Sequence, residues 1–358
     1  MEKKKFILFD DPLMQFNAML DDIRQAKETI LLQTFKFGND AIGLKFKTEL
    51  LKKVKEGLKI YILVDAFGSK NSKNLLSELS KNGVNVKLFK KITFSIDLFK
   101  RNHRRNHRKL LIIDSKITYI GSSNITDYCI NWRESCLRIN DFLSHKFRKI
   151  FFENYDISDF RFANRKNKKA IARKIKYQGF EIICDVPSTL QVPTRKKFIN
   201  LINSAKESIT ITTPYFLCGF LLKNAFKKAL DRNVKIKLLI PKNSDVKMFD
   251  ILRNYYLGKY YNNGVEVIEY QTNNLHAKLL LVDDKEFVLG SSNFDYRSFW
   301  WMYEINLCGT EPAVIQQIKQ HFSDTEKESG KFNVQKWEKR PFFIKIIEIL
   351  LLPLRHLF

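Results

Sequence analysis

Histidine is scarce in this chain: six residues in 358. Chemistry that needs imidazole must therefore sit in few places. Cysteine is scarcer still and odd in number. Cys129, Cys136, Cys184, Cys218 and Cys308 include no C-x-x-C pair, which argues against a zinc site or a disulfide framework and points to a reducing compartment. No stretch of 18 or more uncharged apolar residues occurs, so no spanning helix is expected. The opening MEKKKFILFDDPLMQF has an apolar run too short for a secretion signal. Acidic residues are outnumbered, 38 against 63 basic, giving a net charge of +25. That balance favours polyanionic surroundings: nucleic acid, an anionic bilayer or phosphate-bearing substrates. Apolar residues, by contrast, are plentiful at 44%, with 30 Phe. Such a chain buries large cores, and its length suits two domains.

Two of the six histidines stand in matching contexts. HRKLLIID carries His107, Lys109 and Asp114; HAKLLLVD carries His276, Lys278 and Asp283. Each Asp is followed by the same four letters, Gly121-Ser122-Ser123-Asn124 and Gly290-Ser291-Ser292-Asn293. Ala26–Phe37 also echoes Ala205–Phe216, and NGVNVKLF (82–89) echoes NGVEVIEY (263–270). Order and spacing are kept, so the halves read as homologous domains rather than short solenoid repeats.

Within each half, β-rich runs alternate with helical patterns. Residues 29–37, 59–66 and 118–121 read as strands, and 42–56 and 72–82 as helices, the latter stopped by Gly83. LLIID is a short apolar run suited to a buried strand. The alternation predicts an α/β chain. The expected division is an N-terminal domain over 1–160, a basic linker over 161–177, a C-terminal domain over 178–325 and an amphipathic tail over 326–358.

On a strand, residues two apart share a face. His107 and Lys109 then point together, as do His276 and Lys278. Imidazole serves as nucleophile or acid/base near neutral pH, and the ammonium beside it can hold a phosphoryl oxygen. Gly121 and Gly290 permit close backbone approach. Ser122, Asn124, Ser291 and Asn293 supply neutral donors for an oxyanion. Asp114 and Asp283 lie at an odd offset from their histidines. They are expected to be structural, partners of turn backbone groups or a basic residue. The carboxylates expected to orient the imidazoles are Glu134 and Glu304, 27 and 28 residues past the histidines. Displacement at phosphorus needs a nucleophile and a leaving-group acid on opposite sides. Two histidines from two repeats provide both, and the lysines supply cations, so no metal or other cofactor is expected. His103 is the nearest rival, but it lacks a Lys two residues on and has no counterpart in the second half.

These motifs resemble those of the phospholipase D superfamily, defined by HxKxxxxD repeated in one chain, over roughly residues 20–310. NHRKLLIIDSKITYIGSSNITD with WRESCLRI, and GSSNFDYRSFWWMYEINL, are similar to the cardiolipin synthase branch, though Met302 stands where that branch usually has Asn. The resemblance implies two domains, each a mixed β-sheet flanked by helices, related by a pseudo-two-fold axis with the site between them. It implies transfer through a phosphohistidine, with His107 as nucleophile and His276 as acid/base by family analogy; the local symmetry of the two motifs leaves the order open to either. A second phosphatidylglycerol as acceptor gives cardiolipin and glycerol; water gives phosphatidic acid. Nucleases of the superfamily are the rival reading. The tail from Phe342 to Phe358 disfavours nucleic acid as partner. It is apolar with interspersed charges, suited to lie in a membrane interface or to pack on the core. The expected place of work is the cytoplasmic face of a bacterial cell membrane, reached peripherally.

Overall fold

In the computed structural model, residues 4–89, 104–157, 172–188 and 192–357 are described. The first half lays down β1 (Phe6–Phe9), β2 (Thr29–Thr34), β3 (Lys59–Asp65) and β4 (Asn85–Phe89). A two-residue strand β5 (Arg105–Asn106) precedes β6 (Leu110–Ile113), β7 (Ile117–Gly121) and β8 (Cys136–Asn140). All but β5 form one sheet in the order β1-β8-β7-β6-β2-β3-β4. The parallel pairs β2/β3 and β3/β4 require crossovers. Helices Ala41–Lys55 and Lys73–Lys81 provide them, the first capped by Asp40, whose side chain accepts from Gly43 N at 3.0 Å.

The second half repeats the plan. It contributes β9 (Arg173–Tyr177), β10 (Phe180–Cys184), β11 (Ser208–Thr212), β12 (Lys235–Pro241), β13 (Glu266–Tyr270), β14 (Leu279–Val282) and β15 (Glu286–Gly290). β16 (Met302–Tyr303), β17 (Ile305–Gly309) and β18 (Ser329–Lys331) complete the set. The sheet runs β18-β13-β12-β11-β14-β15-β17-β10-β9. β10 holds against β17 the place that β1 holds against β8.

Two expected boundaries differ. Of the linker expected over 161–177, residues 161–171 lie outside the described residues, and Arg173–Tyr177 is an edge strand paired with β10. The charge alternation RKIKY suits an edge strand with one wet face, which a charge count alone reads as linker. The tail expected over 326–358 begins inside the sheet, because Ser329–Lys331 pairs with β13. The second sheet therefore draws strands from both sides of 178–325.

Each sheet has one face under its own helices and the other in a shared core. Leu31, Leu63 and Ile112 of the first sheet meet Leu279, Leu289 and Leu307 of the second in one buried cluster. Helices Leu143–Ile157 and Pro312–Lys327 close it with Phe147, Phe151, Ile318 and Phe322. Burial on both faces explains why β6 and β14 are unbroken apolar runs, LLII and LLLV.

Candidate active site

Two short backbone pairings across the halves build the site. β5 pairs in parallel with β16, Arg105 with Met302 and Asn106 with Tyr303. The counterpart is a parallel bridge between Arg133 and Leu275. His107 N donates to Tyr303 O at 2.9 Å, and His276 N donates to Arg133 O at 2.8 Å. Each pairing thus sets the residue before one half's histidine beside the residue before the other half's glutamate. The side chains follow. His107 Nδ1 lies 3.0 Å from Glu304 Oε1, and His276 Nδ1 lies 2.8 Å from Glu134 Oε1. The glutamates are crossed: each orients the other half's histidine. The carboxylates are acceptors, so each ring carries its proton on Nδ1 and keeps Nε2 for the reacting group.

Both glutamates are fully buried. Ser122 Oγ donates to Glu134, and Ser291 Oγ donates to Glu304. Each serine in turn accepts a backbone N–H, from Ser135 at 2.8 Å and from Ile305 at 2.9 Å. The expectation that Ser122 and Ser291 bind phosphate is therefore corrected: their hydroxyls are spent behind the glutamates. The asparagines differ. Asn124 Oδ1 accepts from Lys36 N at 3.2 Å, which leaves its Nδ2 uncommitted. Asn293 Oδ1 is buried without a partner among the described residues.

His107–Lys109 and His276–Lys278 do not lie on strands; they are extended lead-ins to β6 and β14. Both lysines are nearly buried, and each curls back to donate to its own histidine's carbonyl at 2.7 Å. Burial drives their charges down. Lys109 falls to about 7 despite Glu304, and Lys278 falls to about 8 despite Glu134 and Glu304. Burial, then the charges of Lys109 and Lys278, hold His107 well below the usual imidazole range. Burial also lowers His276, with Glu134 opposing. The glutamates part ways. Burial raises Glu304 to about 7. For Glu134 burial is outweighed by His276, Lys278 and Ser122, and its carboxyl is held below the usual range.

The two aspartates sit far from this chemistry. Asp114 accepts from Lys27, Glu28 and Thr29 N at 2.8, 2.8 and 2.9 Å. Asp283 accepts from Lys206, Glu207 and Ser208 N at 2.9, 2.8 and 2.9 Å. Each pins the start of a central strand, β2 or β11, to the turn after β6 or β14. Gly121 and Gly290 are fixed by close approach: a Cβ would stand 2.2 Å from Ser135 O and 2.3 Å from Ile305 O. That spacing lets Ser122 and Ser291 reach the glutamates. His103 lies outside the described residues.

Several neighbours were not picked out from sequence. Arg108 bridges the halves, donating to Glu304 O at 3.0 Å and Asp185 O at 2.9 Å. Phe35 lies edge-on to His107 at 5.6 Å between centroids, and Trp132 is tilted against His276 at 5.1 Å. Trp132, two residues before Glu134, was findable because the strand-like bridge carries it to the same cleft. Nothing in the sequence marks Arg108 apart from the other basic residues around it.

Comparisons agree with this architecture. The family described as "Cardiolipin synthase, PLD-like domain" matches residues 19–155 and 198–325. The chain is 28% identical to a cardiolipin synthase of Clostridium perfringens, over 96% of this chain and 75% of that protein. It is 30% identical to a cardiolipin synthase of Oceanobacillus iheyensis, over 95% of this chain and 72% of that protein. In fold it is similar to the crystal structure of phosphatidylserine synthase from Haemophilus influenzae. The TM-score is 0.79 at 12% identity, covering 99% of this chain and 95% of that one. The doubled motif, the paired sheets and these matches together make the chain an enzyme of the phospholipase D superfamily, belonging to the phospholipase D-like domain family of the cardiolipin synthases.

Proposed function

We propose that the chain is a phosphatidyltransferase that joins two phosphatidylglycerol molecules into cardiolipin and releases glycerol. The observation that carries the reading is the crossed His–Glu pairing, which gives one cleft two oriented imidazoles from opposite halves. His107 Nε2 attacks the phosphorus of the first lipid and forms a phosphatidyl-histidine. The P–O bond to glycerol breaks, and the leaving oxygen takes a proton from His276. A hydroxyl of the second lipid then gives its proton to His276 and attacks the phosphorus, freeing His107. Lys109, Lys278 and the amides of Asn124 and Asn293 surround the non-bridging oxygens. The relatives' names support the substrate class, and so does the exposed apolar surface of residues 342–354, which suits peripheral work at the cytoplasmic face of a bacterial membrane.

The test uses purified protein, vesicles and headgroup-labelled phosphatidylglycerol. Cardiolipin and free glycerol in equal amounts are expected. Phosphatidic acid without cardiolipin would replace the acceptor with water. Cleavage of oligonucleotides with no lipid turnover would refute the reading.

A further inference from the structure

Trp337 wedges the C-terminal segment into the second domain. Trp337 Nε1 donates to Asn254 O at 2.7 Å, and its ring lies where a Cβ on Gly258 would stand, 2.5 Å away. Glu348, fully buried, is clamped by Arg340 through two 2.8 Å bonds. Arg340 also donates to Trp337 O, so helix Phe342–Leu351 is tied back to the Trp337 turn, Leu351 packs on the second-domain core, and most of its other apolar side chains face outward. Phe342 is 77% exposed, Leu350 69%, Phe343 61% and Ile349 56%. An apolar helix face held open to solvent at this cost needs a partner.

Beside it lies a group of cations. Arg355, in the C-terminal turn, lies near enough to Tyr256 and Tyr296 for its charge to oppose the burial-driven rise of both hydroxyls. Its Nε is buried without a partner. Lys223 sits 3.8 Å from the centroid of Tyr256, and Lys259 sits 4.0 Å from that of Tyr255. The two tyrosine rings are 5.0 Å apart. Lys223 is held below the usual lysine range by burial, and the charges of Arg355 and Lys259 push the same way. Among the described residues none of the three cations pairs with a carboxylate. Two lysines on aromatic faces and an arginine beside them, with no carboxylate to balance them among the described residues, form a site for an anion. Gly219 packs against Tyr296, which brings Phe220 and Leu221, 79% and 53% exposed, to the same rim.

We propose that Lys223, Lys259 and Arg355 form a second lipid-phosphate site, separate from the catalytic cleft, and that it seats the enzyme on an anionic bilayer with the Phe342–Leu351 helix and Phe220-Leu221 inserted beside it. Apolar side chains flanking a basic site match an anionic lipid, acyl chains below and phosphate above. Free phosphate matches only the upper half. The position has a consequence for catalysis. Trp301 Nε1 donates to His356 O at 3.2 Å, and Trp301 O accepts from Arg105 N at 3.2 Å, two residues before His107. Seating the tail therefore brings the bilayer surface to the entrance on the His107 side.

The inference rests on the lipid reading above for its choice of ligand, but its test needs no turnover. Full-length protein is titrated with vesicles of phosphatidylcholine alone and of phosphatidylcholine with phosphatidylglycerol, and bound protein is measured by flotation. Wild type is expected to float with the mixed vesicles and not with the neutral ones. Lys259→Gln with Arg355→Gln should weaken binding about tenfold to thirtyfold in protein that remains folded. Phe342→Ser with Phe343→Ser should abolish flotation. The control Lys27→Gln with Lys55→Gln removes equal charge from the exposed surface of the other half and should cost less than threefold. Equal binding to neutral vesicles, an undiminished Lys259/Arg355 variant, or an equal loss in the control would each overturn the inference. Loss of lipid transfer with vesicle binding intact would count against the transferase reading alone.

Discussion

The motif aspartates separate architecture from chemistry, and Asp283 is the cleaner test. Its backbone lies at φ 51°, and its carboxylate gathers three consecutive amides ahead of β11. Asp283→Asn keeps Oδ1 for Glu207 and Ser208 but turns an NH₂ toward Lys206 N–H. One bond and the charge assistance go, a loss of about 1–2 kcal/mol. Asn tolerates the left-handed backbone, so no strain is added. Asp283→Ala loses all three bonds at about 1 kcal/mol each and adds about 1 kcal/mol for a left-handed alanine, near 4 kcal/mol in all. For a domain the size of the second half, each kcal/mol moves the melting temperature by about 2–4 °C. The expected falls are about 2–8 °C for Asn and about 8–16 °C for Ala. Burial pushes the Asp283 carboxyl up, but the three amides together outweigh it and hold the group below its usual range. A depressed carboxyl stabilises the fold above its unfolded pKa and loses that effect as pH falls through the folded one. The wild-type curve should therefore drop more steeply than that of Asp283→Asn below about pH 4. Transfer measured well below the melting point should stay within a few fold of wild type for Asn. A wild-type melting temperature with transfer reduced a hundredfold would make the aspartate chemical and refute the reasoning.

Glu134→Gln and Glu304→Gln should each lower kcat by about 10²–10⁴-fold, with little effect on melting, because the amide fills the same space but cannot balance an imidazolium. A fall below tenfold would remove the crossed pairing from the mechanism. The pH profile of kcat/KM should be a narrow bell near neutrality. Its acid limb follows ionisation of Glu304 at about 7, and its alkaline limb follows loss of charge from Lys109 at about 7 and Lys278 at about 8. Glu304→Gln should flatten the acid limb, and a flat wild-type profile from pH 5 to 9 would contradict these shifts.

The repeat made the fold plan and most of the site legible. HxK and GSSN stand at matching offsets, and the glutamates at offsets one residue apart, because one unit was built twice. The helices at 41–55 and 73–81 follow directly from apolar periodicity and the Gly83 stop. The crossing of the glutamates was not legible. Offsets along the chain say that Glu134 follows His107, whereas the bridge of Arg133 to Leu275 carries it to His276. Serine's role was misread for a related reason. A hydroxyl beside a predicted phosphate site can face either the ligand or the orienting carboxylate, and only the approach of β7 to β8 at Gly121 decides it. The edge strand Arg173–Tyr177 hid behind its lysines, since edge strands carry charge to resist pairing with another chain.

The two half-sites share bond lengths to within a few tenths of an ångström but not electrostatics, and the difference supports the proposed roles of the histidines. A nucleophilic imidazole must be neutral at Nε2. His107 suits that need: desolvation, then the charges of both lysines, hold it well below the usual imidazole range. An acid/base imidazole must take up and release a proton. His276 has the carboxylate that favours the ionised form, Glu134, to steady the cation. The assignment is tested with a phosphodiester whose leaving group is a nitrophenol, which departs without an acid. His276→Ala should still release nitrophenol once per protein molecule. It should then stall, because no base prepares the acceptor, and carry label that survives alkali and maps to His107. His107→Ala should show neither burst nor label. Label on His276 in the His107→Ala protein, with none in His276→Ala, would reverse the roles and show that the lysine field around His107 serves protonation control rather than nucleophilicity.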